Sequence, residues 1–555
     1  MKLRNVRQRL GTIVLATICL VLSGAIQLKA QGGEPRSFAI KGAKIIPVSG
    51  PAIDNGTIVF SKGIIVGVGK EEPIPPDAWV IEGKGLTVYP GFIDSFTDVG
   101  IVAEPTEGDG KGKPQSLSKG PEDRPATTPW KNAADEINTN DPRIETWRAA
   151  GFTTTISAPK GGMFPGLAAV LDLAGDRPGN FVVKSTSAIP VSLQAPGGFR
   201  NYPGSLMGAI AYVRQVWIDT NWSALAEASY EKSPRGAERP RYDRTEFALN
   251  NALAKHAIVL LPGNNSLEIQ RAMRLASEWK LNVVIYGGQM GYAVAPELAA
   301  KKIPVLVDLK WPEAEKDADS EAETSLRTLR FRDRAPTSPA TLQKAGVKFG
   351  FYSGGITVPK DLLPAVSKSI DAGLSRDAAL RALTLSAAEI YGIADVLGSI
   401  EKGKIANLVV TDGDIFDKKT KVKIVFVDGH KFEVREPQRP SDPPKGDLTG
   451  KWKLTYSTPQ GQEESIADLV MSTDGTLTGT LTSQRGTGTI FSGYLSGDKF
   501  SFTINIPIEG SPQDVHFSGT FDGTAMKGTI GAMGYSFDFS GTKPGIRSLM
   551  TGGAK

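Results

Sequence analysis

The sequence predicts an α/β body with parallel strands, inserted into a small discontinuous β-domain and followed by a separate all-β module. Three observations predict it. Strand-like runs alternate with helical stretches between Tyr89 and Glu389, short β-branched runs flank that region on both sides, and a proline-rich stretch precedes a last series of evenly spaced strands.

The first thirty residues stand apart from the fold. They hold Lys2, Arg4, Arg7, Arg9 and Lys29 and no acid, and the basic start leads into an apolar run from Gly11 to Leu22, with small residues at Ser23, Gly24, Ala25 and Ala30. That is the layout of a signal peptide over residues 1–30, and the run is shorter than the roughly 20 apolar residues that span a bilayer. The expected location is periplasmic or secreted, by bacterial export, with no stable membrane span after cleavage. The chain's one cysteine, Cys19, lies inside the apolar run, so the mature chain has none. Disulfides, thiolate zinc sites, iron–sulfur clusters and cysteine nucleophiles are thereby excluded. The whole chain carries 64 Lys and Arg against 59 Asp and Glu, and taking away the five leader bases leaves 59 of each. A neutral mature protein lacks the basic footprint that nucleic acid requires.

From Ser37 to Val88 the runs Ala43 to Val48, Gly56 to Ser61 and Ile64 to Val68 are separated by turns at Gly50-Pro51, Asp54-Asn55-Gly56 and Lys62-Gly63. This predicts a small antiparallel sheet. Beyond Tyr89, buried strands are expected at Phe152–Ser157, Ala257–Leu261, Asn282–Ile285, Pro304–Asp308 and Val347–Phe351. Helices are expected at Met207–Trp217, introduced by Ser205, and at Leu267–Trp279, capped by Ser266; Leu206, Ile210, Val213 and Trp217 form a stripe that faces a core. A last helix over Ser375–Glu389 closes the body. The runs Ala406–Thr411 and Val422–Val427 match the opening sheet in composition, so residues 37–89 and 396–435 are assigned to one discontinuous β-sandwich and residues 90–395 to the α/β body. Residues 436–446, rich in proline, form an extended linker. Residues 447–542 carry strand-like runs every 8 to 12 residues, with alternation in Trp452, Leu454 and Tyr456 and in Leu477, Gly479 and Leu481. They predict an antiparallel β-barrel or sandwich, a structural or partner-binding appendage or a small-ligand barrel.

Three segments carry a resemblance to a known family. They are Gly85-Leu86-Thr87-Val88-Tyr89-Pro90-Gly91-Phe92-Ile93-Asp94; Leu383 to Ile390 followed by Leu397 to Val410; and Asp414-Ile415-Phe416-Asp417 with Val425-Phe426-Val427-Asp428-Gly429. Together they resemble the amidohydrolase superfamily, in its imidazolonepropionase-like branch with a composite β-domain. Asp141-Pro142-Arg143, Ala150 to Thr154 and Tyr202 to Gly208 resemble a secreted bacterial branch of it. The resemblance implies a TIM-like (β/α)8 barrel whose site lies at the C-terminal ends of the strands. It also implies a divalent metal held by a His-x-His pair after strand one, histidines after strands five and six, and an aspartate after strand eight.

The residues at those positions are of other kinds. Phe96-Thr97-Asp98 stands where the His-x-His pair belongs, Pro262 where the strand-five histidine belongs, Tyr286-Gly287-Gly288-Gln289 after strand six, and Ser353 or Gly354 at the strand-eight aspartate. The position of the lysine that some members carbamylate after strand four falls on Pro190, with Lys184 the nearest lysine. The chain has three histidines: His256 precedes strand five, His430 belongs to the small sheet and His516 to the last module. No Ser-His-Asp triad can be built from them. A carboxylate-only site would draw on Asp94, Asp98, Asp308 and Glu313, hard oxygen donors suited to magnesium or calcium. The Gly161–Gly166 segment lacks the Gly-Lys-Ser/Thr ending of a phosphate loop and reads as a loop at the barrel mouth. Residues 104–129 form a long loop, either a lid or disordered.

The resulting expectation is an exported amidohydrolase-like pseudoenzyme that binds a small-molecule or peptide ligand or pairs with a second copy or an active paralogue, with no cofactor. The alternative is a hydrolase of C–N bonds in cyclic amides or small peptides. It would work through a non-standard site, with a divalent metal and with Asp94, Asp98 or Asp308 in catalytic roles.

Overall fold

The computed structural model describes residues 37–102, 124, 126–175, 177–194, 203–314, 324–434, 442–458, 461–483, 486–508, 511–532 and 535–543. The expected signal peptide at 1–30, most of the 104–129 loop and the start of the expected linker lie outside them. The chain divides into two units, with the boundary at Phe432 and Glu433.

The first unit opens with β1 (Ser37–Ile45), β2 (Ile53–Ser61), β3 (Ile64–Gly69), β4 (Trp79–Glu82) and β5 (Thr87–Pro90). The barrel strands follow: β6 (Phe92–Thr97), β7 (Phe152–Ser157), β8 (Ala168–Asp172), β9 (Val182–Pro190), β10 (Ile258–Gly263), β11 (Val283–Gly287), β12 (Val305–Asp308) and β13 (Phe349–Tyr352). The chain then returns to the first sheet with β14 (Leu408–Thr411), β15 (Val422–Val427) and β16 (His430–Glu433). The strands of both flanks bond into one sheet in the order β16-β15-β14-β5-β1-β2-β3, with β4 also on β1. The sheet is mixed rather than antiparallel, because β1 pairs parallel with β4 and, further along, with β5. It folds over on itself: Phe426 of β15 meets Phe60 of β2 and Phe38 of β1 at ring distances of 4.9 and 5.5 Å.

The barrel order is β13-β12-β11-β10-β9-β8-β7-β6, nearly closed, as the (β/α)8 expectation requires. One strand departs from it. β8 runs antiparallel to both β7 and β9, because residues 158–167 make too short a connection for a parallel crossover. Alternation sorts the strand residues into two cores. Phe92, Val259, Val283, Val305 and Phe351 face the helices, while Ile93, Leu260, Val284, Leu306 and Tyr352 fill the barrel. Gly91, at the entry to β6, is required: a Cβ there would collide with Thr153 on the neighbouring strand.

Several helices differ from expectation. The Met207–Trp217 helix extends from Leu206 to Lys232, and its buried face is Ala209, Tyr212, Val213, Val216, Trp217 and Thr220, with Leu206 exposed. The Leu267 helix is capped by Asn265, whose side chain accepts from the Glu268 amide, and Ser266 is its first residue. The Ser375–Glu389 helix is two helices, Arg376–Leu383 and Leu385–Tyr391, broken at Thr384.

The second unit is a closed eight-stranded antiparallel barrel: β17 (Gly450–Thr458), β18 (Gly461–Met471), β19 (Thr476–Ser483), β20 (Gly486–Ser496), β21 (Lys499–Ile508), β22 (Ser511–Phe521), β23 (Ala525–Ala532) and β24 (Tyr535–Thr542). Pairing of β17 with β24 closes it, leaving no open edge. Its interior is filled by Trp452, Leu454 and a phenylalanine cluster in which Phe502 lies 4.8 Å from Phe517 and Phe517 5.6 Å from Phe539. The described end of the linker belongs to this unit, since Lys445 donates to the Gly497 carbonyl at 2.8 Å.

Candidate site at the mouth of the barrel

Alternation turns the last inward residues of β11, β12 and β13 toward one end of the barrel. These are Tyr286, Asp308 and Tyr352, and Phe96 joins them because an irregularity late in β6, between Asp94 and Thr97, breaks that strand's alternation. The Phe96 ring lies 5.1 Å from that of Tyr286 and 5.9 Å from that of Tyr352. Phe96 is the residue that the resemblance sets at the family's first metal-binding imidazole. The Tyr286 hydroxyl donates to the Val191 carbonyl at 3.1 Å, and burial pushes its pKa up.

Asp308 is the carboxylate of this end. One oxygen accepts the Lys310 amide at 2.7 Å, and the Tyr352 hydroxyl stands 3.5 Å from the other. Burial is the main cause that pushes its pKa up, to about 6, with Asp94 adding to the rise; the Lys310 amide, the Tyr352 hydroxyl and the Lys310 charge pull the other way. Gln289 holds the loop in place, its amide donating to the Asp308 and Lys310 carbonyls at 3.1 and 2.8 Å. Gly354, one of the two residues that the resemblance sets at the strand-eight aspartate, has no room for a side chain. Its φ is +62°, and a Cβ there would fall on Asp308 Oδ1. Asp308, from strand seven, thus occupies the space beside which a side chain at position 354 would begin.

The other sequence candidates are engaged elsewhere. Asp94 is fully buried and points out of the barrel, accepting from the Ser353 amide at 3.0 Å and the Trp147 indole at 3.1 Å. It ties β6 to the end of β13 across the seam, and burial raises its pKa. Asp98 pairs with Arg143 at 2.9 Å and Lys160 at 3.0 Å. Partial burial opposes ionisation, but Lys160 and Arg143 prevail and hold its carboxyl below the usual range. Glu313 is exposed and pairs with Lys368. Pro262 is buried on β10, paired in register with Tyr286. Lys184 lies near the start of β9, at the opposite end from the mouth, and donates to the Tyr391 carbonyl at 3.0 Å; Pro190 ends that strand. His256 is exposed before β10, His430 lies on β16 and His516 on β22 in the second unit. Of the four carboxylates, Asp308 is the one that meets a hydroxyl of the aromatic group.

The residues present do not fit the family's metal centre. By the resemblance its ligand positions fall on Phe96, Asp98, Pro262 and Gly354, of which only Asp98 offers a donor and that one is paired with Arg143 and Lys160, and among the described residues no three His, Cys, Asp or Glu side chains are grouped to hold an ion. Sequence reading missed Tyr286, Tyr352, Gln289, Lys310 and the partnership of Asp308 with Gly354. Strand alternation through Val284-Tyr286, Leu306-Asp308 and Gly350-Tyr352 could have placed Tyr286 and Tyr352 beside Asp308. The 104–123 part of the long loop lies outside the described residues. Its far end is docked: Arg124 pairs with Asp219 at 2.7 Å and Glu246 at 3.0 Å, and the Thr127 and Tyr212 hydroxyls bond at 2.6 Å. The Gly161–Gly166 segment links β7 to β8 at the mouth end, where the Phe164 carbonyl accepts the Thr128 amide at 2.8 Å.

The fold is a barrel of the (β/α)8 kind framed by a sheet drawn from both flanks, with the aromatic group and Asp308 at the C-terminal ends of its strands. The amidohydrolase family model matches residues 329–436, which cover the last barrel helices and the return to the sheet. An amidohydrolase of Thermotoga maritima MSB8 has 26% sequence identity and a TM-score of 0.60, the match covering 71% of this chain and 100% of that one. A prolidase complexed with N-methylphosphonate-L-proline matches at 18% identity and a TM-score of 0.44, over 72% of this chain and 100% of its own. A Xaa-Pro dipeptidase with bound methionine matches at 16% and 0.44, again over 72% and 100%. No curated protein matches the chain. The chain has the amidohydrolase-superfamily fold and carries that family's sequence over its return segment.

Proposed function

We propose that this is an exported ligand-binding protein built on an amidohydrolase barrel, a pseudoenzyme in which the mouth works without the family's metal centre. The observation that carries the reading is the filling of that centre: Phe96 occupies the first ligand position, and Asp308 blocks the space beside Gly354. Imidazole and carboxylate ligands must converge on one point to hold a divalent ion, and of Phe96, Asp98, Pro262 and Gly354 only Asp98 offers a donor, already paired with Arg143 and Lys160. Export rests on the basic and apolar leader of the sequence. Elemental analysis of protein purified without chelator or tag tests the main reading. Well under one ion per chain is expected; one or two tightly held ions per chain would overturn it.

A second reading is favoured by one observation, the raised pKa of Asp308. A carboxyl that titrates near 6 at the mouth suits general acid–base chemistry. A hydrolase of cyclic amides or small peptides would then use Asp308 as its proton carrier. Turnover of a lactam, cyclic amide or dipeptide that Asp308→Asn removes and Asp98→Asn preserves would support it, and the absence of turnover across that panel would dismiss it.

A further inference from the structure

We infer that the mouth binds an organic cation, an amine or quaternary ammonium with a small apolar body, between the Asp308 carboxylate and the rings of Phe96, Tyr286 and Tyr352. This rests on the reading that no metal centre fills that end. Three rings from three different strands converge there, with Phe96 central at 5.1 and 5.9 Å from the other two. The face of an aromatic ring is electron-rich and attracts a cation, most strongly where water is excluded. Phe96, Tyr286 and Asp308 each keep part of their surface open to solvent.

The hydrogen-bonding inventory narrows the ligand further. The Tyr286 hydroxyl is spent on Val191, and the Tyr352 hydroxyl faces Asp308. Among the described residues no basic side chain lies within ion-pairing distance of the Asp308 carboxylate, in contrast to Asp98 with its two partners. A partly desolvated anion on an aromatic floor is complemented by a positive ligand, whereas a neutral one leaves it unpaired and an anion is repelled. The charged and titratable groups that reach Asp308 are Lys310, Tyr352 and Asp94. Lys310 leans instead toward Gly355, its ammonium 3.8 Å from where a Cβ on that residue would lie. It opposes a bound cation and so supplies a second handle.

Calorimetric titration of the full chain with choline, benzylamine and the uncharged choline isostere 3,3-dimethylbutan-1-ol tests the inference. Saturable binding of at least one cation is expected at neutral pH, with the isostere at least about tenfold weaker. Asp308→Asn should weaken cation binding by at least about tenfold, Lys310→Met should tighten it, and lowering the pH to 5 should weaken it in the wild type and in Lys310→Met but not in Asp308→Asn. Melting curves establish that both variants fold. No saturable binding of either cation at millimolar concentrations, equal binding of the isostere, or an Asp308→Asn variant that binds normally would overturn the inference. Metal content on the same samples separates the two proposals. An ion-free protein that ignores cations sinks only this one, and an ion-loaded protein sinks the reading beneath it.

Discussion

Asp172, at the opposite end of the barrel from Asp308, is fully buried and accepts from Thr154 at 2.7 Å and from the Asn407 amide at 2.9 Å. Burial is the main cause that pushes its pKa up to about 7, with Asp428 adding to the rise and the two donors pulling it down. An acid whose folded pKa is raised favours folding while it stays protonated. Its contribution is complete below the unfolded value near 4 and is lost as the pH climbs through 7. Asparagine keeps the acceptor for both donors and never ionises. Asp172→Asn should therefore raise the melting temperature of the barrel unit at pH 8 and change it much less at pH 5, the two conditions differing by about 2 to 3 kcal/mol in the variant's advantage. Calorimetry at the two values checks this, and a pH-independent difference would contradict it. Gly354 offers a test of packing at the mouth. Gly354→Ala meets Asp308 in a left-handed conformation and should cost about 2 kcal/mol or more, part of which Asp308→Ala should recover in the double variant. Additive losses in thermal melts would mean that the two residues do not share the space.

At the scale of elements, the helix Ser266–Trp279 separates two adjacent capping candidates. Asn265→Ala should lower the stability of the first unit by about 1 kcal/mol and Ser266→Ala by only a few tenths, because only Asn265 bonds the Glu268 amide. Denaturant midpoints of the two variants decide it. The same helix illustrates what was legible. Its extent and its end at Trp279 follow from apolar spacing, whereas the cap depends on which of two good capping residues turns extended, a backbone property that spacing does not encode. The long helix from Leu206 was cut short at Trp217 because its buried face continues through Thr220 rather than through large apolar residues. β8 was unseen as a strand, and its direction follows from a connection too short to cross over, which only a closed barrel makes necessary.

For the whole molecule, the barrel, its two-flank sheet and the eight strands of the last unit were all readable, since each depends on patterns repeated over many residues. Asp308 was readable as a candidate, because it closes a strand at the end where the resemblance sets the site. The crowding of position 354 by Asp308 was hidden, since it depends on the reach of Asp308 toward a residue 46 positions away in sequence. The two units also make a prediction about cooperativity. The core of the second unit shares no residue with the clusters of the first, and its closed sheet needs no outside strand. Each unit should thus melt as its own cooperative transition. Phe502, fully buried and stacked on Phe517, gives the means to tell them apart. Removing its ring should cost about 3 to 5 kcal/mol, and in a domain of this size that lowers the midpoint by roughly 10 °C or more. Calorimetry of Phe502→Ala should show one transition displaced by that amount and the other unmoved. A common shift of both would mean that the second barrel is folded only as part of a larger cooperative whole, and that its role is to hold the first unit together rather than to be carried beside it.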